Sequence, residues 1–131
     1  MTITVIRNNG ALQVVSNGRG PAGSQTVTIP IFYGAAPASG ELLSRAILPM
    51  GLRIVSAECA ASCDSPPSVE QVYALTLDNA SVGTVTFGAG ETEGVVDITE
   101  LTWAPGILRV QAPGLCDTAI ADISITIVGN R

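Results

Sequence analysis

Ile120-Ala121-Asp122-Ile123-Ser124-Ile125-Thr126-Ile127-Val128 is the stretch that decides the fold. Ile123, Ile125 and Ile127 fall on one face, and Ser124, Thr126 and Val128 on the other. A period of two residues, carried by β-branched side chains, is the mark of a half-buried strand.

Working back from it, the same character recurs at Thr26–Tyr33, Leu42–Leu48, Arg53–Cys59, Gln71–Leu77, Val82–Phe87, Val95–Thr99 and Ile107–Gln111. Turn material separates these runs: Gly34–Gly40, Ser65-Pro66-Pro67-Ser68, Asp78-Asn79-Ala80-Ser81, Gly88-Ala89-Gly90, Pro105-Gly106 and Pro113-Gly114. Pro30 lacks an N–H for a ladder on both sides, so its strand is expected at an edge or a bulge. No long segment has a helical period, although Ala36–Ala46 has room for one turn of helix. The expected fold is all-β: an antiparallel β-sandwich of jelly-roll type with about eight strands, spanning residues 25–131. A small closed barrel is the alternative.

Residues 1–24 read differently. Ile3 and Val5 alternate with polar residues, Asn8-Asn9-Gly10 is a turn signal, and Leu12 and Val14 alternate on the return. This predicts an N-terminal β-hairpin arm. Ser16-Asn17-Gly18-Arg19-Gly20-Pro21-Ala22-Gly23-Ser24 follows as a glycine-rich linker. Its two Gly-X-Y triplets are too few for a collagen helix.

Charged residues make up 13% of the 131-residue chain, against roughly 25% in ordinary domains. AVILMFWYC residues make up 47%, histidine is absent, and all six cations are arginines. A single small domain has much surface for its volume. With so few charges, part of that surface is expected to be covered by another chain. A net charge of −5 and scattered arginines argue against nucleic-acid binding. No run reaches the roughly 18 apolar residues needed to cross a bilayer, and no secretory signal is expected from Met1-Thr2-Ile3-Thr4-Val5.

Little chemistry remains. Without histidine or lysine, Ser–His–Asp and Cys–His catalysis, Schiff bases and phosphate-loop lysines are excluded. Glu91, Glu93, Asp97 and Glu100 fall in one stretch, which reads as a solvated acidic sheet border rather than a calcium site or a glycosidase pair. Cys59, Cys63 and Cys116 are too few for a zinc site. They read as small buried hydrophobes or idle thiols, with a Cys63–Cys116 or Cys59–Cys63 disulfide as the alternative. The expectation is no enzyme, no cofactor and no metal. Trp103, just before a turn, is either an exposed platform for a sugar or a residue packed at a sheet rim or subunit contact.

Several stretches carry a resemblance: Gly40-Glu41-Leu42-Leu43-Ser44-Arg45, Gly83–Gly90, Pro105-Gly106-Ile107-Leu108-Arg109-Val110-Gln111-Ala112-Pro113, Asp117, and Ala121–Ile127. The chain resembles the β-domains of phage tail-fibre and related virion proteins. Val5-Ile6-Arg7, Leu12–Val15 and Gly20-Pro21-Ala22-Gly23 look like the arm that precedes collagen-like stretches in such fibres. The resemblance implies a homotrimer located in the virion, assembled in the host cytoplasm. Almost no collagen-like shaft is present, which favours a compact component: a capsid decoration (cement) protein bound to the major capsid protein or other virion proteins. A short tail-fibre or spike protein contacting a host-surface glycan is the alternative, and a polysaccharide hydrolase a distant second. The partner-binding candidates are Ile3, Val5, Arg7, Leu12 and Val14 on the hairpin, Arg19 in the linker, and Trp103.

Overall fold

The computed structural model describes residues 3–8, 11–16 and 25–131, with side-chain detail over the last stretch. β1 (Ile3–Asn8) pairs antiparallel with β2 (Ala11–Ser16) as a separate two-stranded sheet. Its backbone passes beside the next strand without joining the main sheet. Of the linker expected at 16–24, Ser16 is the last residue of β2 and residues 17–24 lie outside the described residues.

Ten strands follow: β3 (Thr26–Tyr33), β4 (Leu42–Leu48), β5 (Leu52–Ile54), β6 (Ala60–Ser65), β7 (Gln71–Leu77), β8 (Ala80–Phe87), β9 (Glu93–Ile98), β10 (Thr102–Trp103), β11 (Gly106–Gln111) and β12 (Ala121–Asn130). Every pairing among them is antiparallel. One layer runs β3-β12-β6-β9, with the short β5 and β10 continuing the β6 side of β12. The other runs β4-β11-β7-β8-β9. This alternation of the eight long strands between two layers is compatible with a jelly roll.

β9 belongs to both layers. Glu93 and Gly94 pair with Ser62 and Ala61 of β6, whereas Val95 to Ile98 pair with Thr86 to Gly83 of β8. Gly94 sits at this handover because there is no room for more. A Cβ there would lie 3.0 Å from the Phe87 ring and 3.1 Å from the Ala61 methyl.

The core forms where the two layers face each other. Ile29 and Ile31 of β3, Ala61 and Cys63 of β6, and Ile123, Ile125 and Ile127 of β12 meet Tyr73, Leu75, Val85, Phe87, Leu108 and Val110 from the opposite layer. Tyr73 and Phe87 pack edge to face, their centroids 6.0 Å apart. The isoleucine row of the closing strand is therefore wholly inward, as its alternation requires.

Local chemistry explains the borders. Pro30 lies in β3, which among the described residues pairs only with β12. Gln25 and Arg131 exchange backbone bonds at the end of this ladder, so Pro30, opposite Thr126, falls at a non-bonded position and no ladder bond is lost to its missing N–H. Asp78 (φ 49°) and Asn79 (φ 68°) make a two-residue turn closed by the Leu77–Ala80 pair. Both residue types tolerate positive φ, the requirement of a tight primed hairpin turn. Ala80 and Ser81 belong to β8 rather than to the turn.

Two expectations need correction. The strand expected over Arg53–Cys59 is in fact the short β5, a 3-10 turn at Ser56–Glu58, and the start of β6 at Ala60. No helical turn forms within Ala36–Ala46, where the chain enters β4 at Leu42. The β6 run Ala60-Ala61-Ser62-Cys63-Asp64-Ser65 has no β-branched residue, and its pairing with β12 holds it extended.

Candidate interaction surface

The hairpin register places Val5 opposite Val14 and Arg7 opposite Leu12. Directly paired residues share a face, as do alternate residues along a strand. Ile3, Val5, Arg7, Leu12 and Val14 thus come together on one face of the ribbon. Arg19 lies outside the described residues.

Trp103 goes to the packed position. It is 1% exposed, pairs with Leu52 of β5, and donates its indole N–H to the Glu100 carbonyl at 2.6 Å. The folded chain therefore offers no Trp103 ring to a sugar or a partner.

A surface that the sequence does not single out is the outer face of the β4-β11-β7-β8-β9 layer. Leu108 and Val110 point inward, so Ile107, Arg109 and Gln111 point out. Cross-strand pairing sets Ile107 beside Ile47, Arg109 beside Arg45, and Gln111 beside Leu42. On the other flank, Val72 pairs with Thr86, which pairs with Val95. Ile47 is 70% exposed and Val95 66%, with Leu42 and Val72 also exposed. Arg45 is exposed, and Arg109 donates to Asn79 Oδ1 at 3.3 Å. No local sequence signal marks this face, because it exists only once the strand order is known.

The outer face of the other layer carries an open trough of about 380 Å³. Ala60, Ser62, Gly94, Ser124 and Thr126 line it together with Cys59 and Glu93. Short side chains on three adjacent strands leave this hollow.

The carboxylates of the acidic stretch do not converge. Glu93 pairs across from Ser62 and Asp97 across from Thr84, and both side chains are exposed. Glu91 lies in the turn before β9, not on its face. Among the described residues no three His, Cys, Asp or Glu side chains cluster as metal ligands. Cys59, Cys63 and Cys116 are free thiols. Burial raises the pKa of each, which disfavours the nucleophilic thiolate.

Two carboxylates instead tie loops together. Glu41 accepts from the Tyr33 hydroxyl and from the Ala38 N–H at 2.9 Å, and these bonds lower its pKa. Asp117 accepts from the Ser68 hydroxyl and N–H, the Val69 N–H and the Ala119 N–H. Those donors, the Ser68 hydroxyl foremost, bring its pKa down from 3.8 to about 2. A depressed folded pKa contributes stability that is present above the unfolded value and lost as pH falls through the folded one. Acid should therefore loosen the 66–70 and 112–119 loops between about pH 4 and pH 2. Urea unfolding at pH 6, 4 and 2.5 checks this. Asp117→Asn should unfold more easily at pH 6 and lose less stability on acidification than the parent. Identical pH profiles for the two would show that Asp117 does not set the acid limb.

No family model, curated protein or solved structure matches the chain.

Proposed function

We propose that the chain is a non-enzymatic phage virion protein, a homotrimer that decorates the capsid and stabilises the head. The observation that carries this reading is the exposed apolar face. Ile47 and Val95 stand 70% and 66% exposed on one sheet of a chain with only 13% charged residues. Such a surface is suited to burial against other protein chains rather than to water. The neighbours are further copies and the major capsid protein, and the β1–β2 hairpin adds a second point of attachment. The resemblance to virion β-domains supports the same location.

A decoration protein acts by mass action. It binds the assembled shell, not its separated parts, and so raises the free energy of opening it. Particles lacking the protein should break at lower temperature yet attach to cells as before. A second reading, a short receptor-binding fibre contacting a host-surface glycan, is favoured by two apolar loop residues. Leu115 is 88% exposed, and Val69 is exposed on the loop that Asp117 ties to the same end of the domain. The discriminating experiment measures both heat resistance and host attachment of particles without the protein. Unchanged heat resistance with lost attachment would overturn the decoration reading in favour of receptor binding.

A further inference from the structure

We propose that the β4-β11-β7-β8-β9 layer docks a second copy of this chain head to tail, its β4 border against the neighbour's β9 border. The inference rests on the homotrimer reading and names the surfaces that close it.

The two borders are opposite in charge. On the β4 side, Arg45 and Arg109 sit directly across from each other, flanked by exposed Leu42 and Ile47. Like charges directly opposite on a sheet face repel. The Arg109 guanidinium donates to a neutral amide oxygen, Asn79 Oδ1, at 3.3 Å. On the far side, Val95 and Asp97 alternate on the exposed face of β9 where it pairs with β8, and Glu93 follows on the same strand face where β9 passes to the other layer. Four inter-strand steps separate β4 from β9, or about 19 Å at the usual strand spacing. This exceeds the Debye length of about 8 Å at physiological salt, so the borders of one copy do not neutralise each other. A second copy supplies what each lacks: carboxylates for the arginine pair, and an apolar neighbour for Ile47 and Val95. Opposed, non-identical borders make a heterologous contact, which closes into a ring when the rotation permits.

Light scattering on the full chain at micromolar concentration tests the proposal. The parent should give three times the 13.3 kDa chain mass and shift to smaller species as NaCl is raised. A monomeric parent overturns the trimer reading and this contact with it. Arg45→Glu/Arg109→Glu should be monomeric with a parent-like circular dichroism spectrum, and adding Glu93→Arg/Asp97→Arg to the same chain should restore the trimer. A trimeric parent whose trimer survives both the arginine reversals and high salt overturns this contact and leaves the trimer standing. If the reversed chain fails to fold, the milder Arg45→Gln/Arg109→Gln chain takes its place. That variant should shift to smaller species at lower salt than the parent, and an unchanged salt midpoint overturns the contact.

Discussion

Trp103→Ala is expected to lower the free energy of unfolding by about 3–5 kcal/mol, the range for deleting a large buried aromatic side chain. The side chain is 1% exposed and lies on a two-residue strand whose ladder partner among the described residues is β5. Truncation opens a cavity beneath β10 and strands the Glu100 carbonyl that accepts the indole N–H. Urea unfolding at neutral pH measures the loss. A loss below about 1 kcal/mol, the scale of a single lost hydrogen bond, would mean that the rim repacks and that Trp103 is dispensable to the core.

Gly83→Ala is the second large effect. A Cβ at Gly83 would stand 2.6 Å from the Asp97 carbonyl oxygen and 3.2 Å from Ile98 Cα. Both are backbone atoms of β9, in the ladder that pairs Gly83 with Ile98. No rotamer change relieves the clash, so β8 and β9 must separate locally at a cost of about 1–3 kcal/mol. Because β9 also pairs with β6, the disturbance reaches both layers. A thermal melt should show a lower Tm, and hydrogen exchange should quicken at residues 95–98 before the rest of the sheet. A variant that melts with the parent would show that the strands part without strain at this point.

Much of the architecture is legible in the residues. The boundaries of β3, β4 and β7 match their expected runs, and β8, β9, β11 and β12 differ by one or two residues. These strands carry their own signal, β-branched or alternating apolar residues between turn formers. β6 carries none, since alanine, serine and cysteine have no strand preference, and only its partner β12 makes it extended. β10 is too short for any pattern to register. Trp103 shows the limit for a single residue. A tryptophan before a turn is equally compatible with a platform and a plug, and the choice depends on β5, a strand distant in sequence. The arginine pair is illegible for the same reason. Arg45 and Arg109 become neighbours only through the β4–β11 pairing.

The placement of β12 has a bearing on biogenesis. It is the central strand of its layer, contacting β3 on one side and β5 and β6 on the other. Until β12 has been translated, β3 lacks its ladder partner among the described residues, and Ile29 and Ile31 lack the isoleucines that pair beside them. Closing a loop that spans nearly the whole domain is entropically slow, and topologies dominated by such distant pairings fold on the millisecond-to-second scale. The nascent chain therefore spends its synthesis with apolar strands unpaired, and the low content of charge gives those strands little protection from one another.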